Sequence, residues 1–192
     1  MNKSNLLVYT SLVVIVISLA SIGLEVTGNA TSNDTGLVNV TIDSLAAINF
    51  TTALLNFGNG TVNESEAIIN SESSVVGGTW DPVSGALVLE NIGNTNVSLE
   101  LITNKTAQDF IGGSGSTPLV RAKVTQIGEP GSCTGGTNTF TSYAEINTTL
   151  QSVCDEFGYN STTDQIEIEF ELTIPSDTTG AKTVGVVAVG TY

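Results

Sequence analysis

Histidine is absent from all 192 residues. Its absence removes the commonest general base and metal ligand, and with it every Ser-His-Asp, Cys-His or His-paired zinc arrangement. Basic residues are nearly as scarce: 5 Lys and Arg stand against 19 Asp and Glu, for a net charge of −14. Beyond the N-terminal apolar run the only cations are Lys105, Arg121, Lys123 and Lys182. Four cations cannot neutralise a phosphate backbone or hold an anionic bilayer, so nucleic acid is excluded as a partner, as is electrostatic attachment to lipid. There is no phosphate-binding P-loop; "FIGGSGST" (110–117) lacks the Lys and following helix that a phosphate cradle needs, and is expected to be a flexible surface loop. An enzyme is therefore not expected, and no cofactor is called for.

What the chain does have begins at its N-terminus. Lys3 precedes an apolar run from Leu6 to Ile22, and "Ser18-Leu19-Ala20" and "Ser21-Ile22-Gly23" place small residues at cut-site spacing. This is the layout of a secretory signal over residues 1–23, or of an uncleaved membrane-anchor helix spanning residues 6–22. Both send the rest of the chain outside the cell. A polar linker is expected at 24–36, and a single domain at 37–192.

Cys133 and Cys154 are the only cysteines. In an oxidising compartment they are expected to form one disulfide closing the loop 133–154, a staple worth about 3 kcal/mol. Beyond the N-terminal apolar segment, Asn-x-Ser/Thr triplets occur at Asn29, Asn33, Asn39, Asn49, Asn59, Asn63, Asn96, Asn104, Asn147 and Asn160. With about a quarter of the residues Ser or Thr, chance would supply roughly four. The excess points to N-linked glycans on a surface protein, carried on turns and outward strand positions.

No long stretch holds an apolar period of 3.6, whereas strand patterns recur between Gly, Asn, Ser and Asp clusters. Strands are expected at "LVNVTID" (37–43), "AAINF" (46–50), "ALLNF" (53–57), "AIIN" (67–70), "ALVLEN" (86–91) and "VSLELIT" (97–103). Three more follow at "PLVRAKVTQI" (118–127), "QIEIEFELTI" (165–174) and "KTVGVVAVGT" (182–191). "ALVLEN-IGNT-NVSLELI" reads as a hairpin about Gly93 and Asn94, and "YAEINTTLQSVC" as the place for one short helix. The fold class is all-β: an antiparallel two-sheet sandwich of jelly-roll or Ig-like Greek-key type, behind the N-terminal hydrophobic helix. In "QIEIEFELTI", Ile166, Ile168, Phe170 and Leu172 share one face, and Glu167, Glu169 and Glu171 the other. Such a ladder is expected to be a solvated outer face; the alternatives are a Ca²⁺ site, a salt contact with a neighbouring Lys, or carboxylate catalysis. The one tryptophan, Trp80, is expected to pack on the core or its rim. "LLNFGNGTVNES" (54–65) reads as a turn presenting Asn59 and Asn63.

Taken together, the exported N-terminus, "INFTTALLNFGNGTV", "ALVLENIGNTNVSLEL" and "LTIPSDTTGAKTVGVVAV" resemble archaeal surface proteins of the TasA/camelysin type. That group includes biofilm-matrix fibres and archaeal bundling pili. The resemblance implies a non-enzymatic extracellular subunit that polymerises when an N-terminal strand of one copy completes the sheet of the next. The alternatives are a membrane-anchored, glycosylated adhesion or binding module, and a carboxylate-dependent or Ca²⁺-binding protein.

Overall fold

The computed structural model describes residues 39–126, 128–135 and 139–192. The signal or anchor segment, the linker, Asn29, Asn33 and the start of "LVNVTID" lie outside the described residues. The chain divides into two units, Met1–Ile42 and Asp43–Tyr192. In the first, residues 39–42 form no regular element, and Val40 and Ile42 are 79% and 78% exposed. The second unit is built from β1 (Ile48–Thr52), β2 (Glu66–Asn70), β3 (Val75–Val76), β4 (Leu87–Asn91) and β5 (Val97–Thr103), followed by the single-turn helix α1 (Ala107–Phe110). It continues with β6 (Leu119–Thr125), β7 (Cys133–Thr134), β8 (Ala144–Glu145), β9 (Gln151–Phe157), β10 (Gln165–Pro175) and β11 (Val186–Thr191).

These strands form two antiparallel sheets, one of seven strands and one of four ordered β11-β5-β9-β7. The larger sheet is organised by β10. One edge of β10 pairs with β6 from Glu167 to Thr173; the other is shared by β4 over Gln165–Ile168 and β2 over Glu171–Pro175. At the changeover, buried Ser71 donates its N–H to the Phe170 carbonyl and accepts the Phe170 N–H on its hydroxyl, both at 2.9 Å. No backbone group of Phe170 is left unpaired where its neighbour strand changes.

Alternation puts the core between the sheets. Ile166, Ile168, Phe170 and Leu172 of β10 and Leu87 and Leu89 of β4 meet Val97, Leu99 and Leu101 of β5 and Val153 and Phe157 of β9 in one apolar cluster. Each such side chain contributes about 1.5–3 kcal/mol through its removal from water. The expected all-β, two-sheet architecture is what forms.

Several expectations are corrected. β4 and β5 are not a hairpin: β4 pairs with β1 and β10, β5 with β11 and β9, so their link crosses between sheets. Buried Asn91 holds that corner, donating Nδ2–H to the carbonyls of Thr95 and Phe157 (3.0 Å each) and accepting the Gly93 N–H. Gly93 serves close approach, since a Cβ there would run into the Leu45 carbonyl. Residues 39–43 and 53–57 are not strands. Residues 143–154 hold no helix; β8 and β9 occupy "YAEINTTLQSVC" and its continuation, because both find a partner edge, β6 and β5. The helix instead follows Thr106, whose hydroxyl accepts the Asp109 N–H at 3.1 Å.

Candidate functional site

β11 pairs with β5 from Val186↔Thr103 to Thr191↔Ser98, and no strand occupies its other edge among the described residues. The sandwich is open at the Val186 end of β11, whereas at the other end Gly190 lies close to Ile48 of β1. A cavity of about 1250 Å³ runs between Gly185 and Val186 on one side and Leu55, Phe57 and Trp80 on the other. Its floor is the inner face of the large sheet, with Ile69, Leu172 and Ile174. The volume exceeds the usual small-molecule pocket, about 300–1,000 Å³, and suits an extended segment.

The outer wall, residues 53–62, is suspended from residues 77–80. Val62 bridges Gly78, Thr79 donates its N–H to the Thr61 carbonyl, and Thr61 donates its N–H to the Thr79 hydroxyl. Trp80 is seated on Gly60 and Gly78, where a Cβ at either position would overlap the indole. Asn56 accepts the Gly58 N–H at 2.9 Å, closing an Asx turn in which Gly58 takes φ +71°. The glycines of "FGNG" thus serve backbone shape and the Trp80 seat. At the same end, Asp177 accepts hydrogen bonds from the Ser114 hydroxyl and from the N–H groups of Ser114 and Gly115. These bonds, the Ser114 hydroxyl foremost, hold its carboxyl below the usual range. "FIGGSGST" is therefore tied down and is not the free loop expected.

Groove and exit lie at opposite ends. Asn94 accepts the Leu45 N–H and donates to the Asp43 carbonyl, fixing the start of the domain at the β4–β5 corner. The groove opens where β10 ends at Pro175 and β11 begins at Val186, the far end of the same strands.

The carboxylate ladder is not a plain solvated face. Lys123 of β6 lies opposite Glu169 and bonds it at 2.6 Å, reaches Glu72 at 2.6 Å, and sits 5.1 Å from the Tyr143 ring centroid. Glu169 is only 7% exposed, and Glu171 pairs with Arg121 at 2.7 Å. Desolvation alone would lower the Lys123 pKa, but its bonds to Glu169 and Glu72 outweigh this and raise it. The Lys123 hydrogen bond holds the Glu72 carboxyl below the usual range, while burial and then Glu72 push the Tyr143 hydroxyl up. Two of the three ladder carboxylates thus already have cationic partners. Among the described residues no group of three or more acidic or cysteine side chains is placed to hold a metal.

Cys133 and Cys154 are disulfide-bonded, with Cα atoms 5.5 Å apart, joining short β7 to β9. Asn39, Asn49, Asn59, Asn63, Asn96, Asn104 and Asn160 are exposed, and Asn147 is half-buried with Oδ1 accepting from Thr149. Asn104 accepts the Gly185 N–H at 2.8 Å, and asparagines outside the triplets are also structural: Asn91 and Asn94 donate through Nδ2, and Asn56 and Asn70 accept turn N–H groups. Among the described residues no helix is long and apolar enough to cross a membrane. Comparison with known proteins returns no match, whether to a family model, a curated protein or a solved structure.

Proposed function

We propose that this chain is an extracellular structural subunit, a jelly-roll-like Greek-key sandwich that polymerises head to tail by strand addition. One observation carries the reading: β11 has a free edge among the described residues, and a large cavity meets that strand at Val186, at the end of the domain opposite the chain's point of entry. Unpaired edge N–H and C=O groups are satisfied by an added strand, and alternate pockets take its side chains. The segment 37–42 is the donor. In an extended segment Val40 and Ile42 share one face and Asn39 and Thr41 the other, and Val40 and Ile42 are exposed in the single chain. Donor and acceptor are different surfaces, so the contact is heterologous and propagates. Glycans on the exposed triplets decorate the polymer surface.

The test is gel mobility and light scattering of the full-length exported protein. SDS- or urea-resistant multimers that collapse to monomer when residues 24–43 are deleted are expected. A monodisperse monomer with an intact N-terminus would sink the polymer and favour the anchored adhesion module, for which Trp80 and the Asn- and Thr-rich groove rim would be the binding surface.

A further inference from the structure

We infer that Asn59-Gly60 is a site of spontaneous covalent modification, whose chemistry competes with glycosylation at Asn59 and releases Trp80 from its seat. It is the one Asn-Gly pair in the chain. Asn59 is exposed, and among the described residues its side chain makes no hydrogen bond and the Gly60 N–H has no acceptor, although its neighbours Gly58 and Thr61 are both bonded. Gly60 has no Cβ to shield its nitrogen or restrict its approach to the preceding side chain. These are the conditions under which a backbone amide attacks its own chain.

The Gly60 nitrogen, losing its proton to base, bonds to Asn59 Cγ. The Cγ–Nδ2 bond breaks, ammonia leaves, and a five-membered succinimide closes. Water then opens the ring at either carbonyl, giving an aspartate or, with the main chain rerouted through Cγ, an isoaspartate at position 59. No oxidant, reductant or enzyme is required. The atom expelled is the same Nδ2 on which a glycan would be built, so the two fates exclude each other: sugar protects the site and deamidation removes the triplet for good. An isoaspartate also lengthens the backbone by one carbon directly before Gly60. Gly60 lies against the indole of Trp80, so the added length shifts the wall of the groove.

The inference does not depend on assembly and is tested on unglycosylated, folded full-length chain incubated at 37 °C and mildly alkaline pH. Peptide mapping is expected to find a one-dalton gain and an isoaspartyl linkage at residue 59, forming faster there than at any other asparagine and faster as pH rises. Trp80, the only tryptophan, is expected to shift its emission to the red in step with conversion. Asn59→Gln should abolish both signals while keeping the same initial spectrum. An intact Asn59 after other asparagines have converted would overturn the site. Conversion at 59 with unchanged emission would overturn the coupling to Trp80.

Discussion

Trp80 shows how few atoms shape the groove. Gly60 and Gly78 both touch its ring, and Gly60→Ala must displace the indole or the 53–62 wall. Overpacking of this kind costs about 1–3 kcal/mol, so the urea midpoint of Gly60→Ala is expected to fall and its tryptophan emission to shift. The Glu169–Lys123–Glu72 row makes a second prediction. Lys123→Met leaves Glu169 buried without its cation; because the lysine end keeps some solvent, the loss is expected at about 1–3 kcal/mol rather than the full cost of a wholly buried pair, read by urea unfolding. Its pH signature follows from the lowered Glu72 pKa: the stability Glu72 contributes is present above the unfolded carboxylate pKa and is lost as pH falls through the lower folded one. Glu72→Gln should therefore flatten the acid limb of stability against pH. Asp164, raised by burial and then by Glu129, acts in the opposite sense and is common to both proteins. The alternation of "QIEIEFELTI" was legible from residue types alone. The burial of Glu169 was not, because Lys123, Glu72 and Tyr143 come from three distant segments.

At the scale of elements, strand identity was far more legible than strand partnership. β5 and β10 lie where alternation puts them, whereas β7, β8 and β9 are polar enough to escape notice and exist because an edge was waiting. The β4–β5 link carries hairpin residues yet turns a corner, since Asn91 and the Leu45 backbone lock it there. Asn91→Ala removes three hydrogen bonds in a buried site, one of them to the Phe157 carbonyl. A loss of about 2–4 kcal/mol is expected, with faster hydrogen exchange around residues 92–97. The disulfide matters in proportion to what it holds. β7 has two paired residues, so Cys133→Ser with Cys154→Ser is expected to cost about 3 kcal/mol and to release β7 from β9 in exchange experiments before the rest of the sheet opens.

For the whole molecule, charge and shape act against each other in the proposed assembly. Each copy carries −14, so copies repel at a distance, while the proposed contact is an apolar groove with a main-chain edge. Adding salt toward about 0.15 M, where the Debye length is about 8 Å, is expected to speed polymerisation in light scattering. A rate that falls as salt is added would instead indicate an ion-paired interface and count against the groove.

Residue chemistry and local period are properties of the chain itself. They sufficed for an all-β fold without histidine chemistry or a basic partner surface, for the inward residues of the long strands, and for a cysteine pair with no other thiol to choose. Which edges meet, which carboxylate is buried, where β4 parts from β5 and which edge stays open are contests between segments far apart in sequence. Those are decided only when packing brings the competitors together, because backbone hydrogen bonds are alike in every strand and carry no address. The cavity that meets β11 at Val186 is the clearest case: no local signal marks it, and its lining comes from segments as far apart in sequence as 50–62, 80, 110–111 and 170–186.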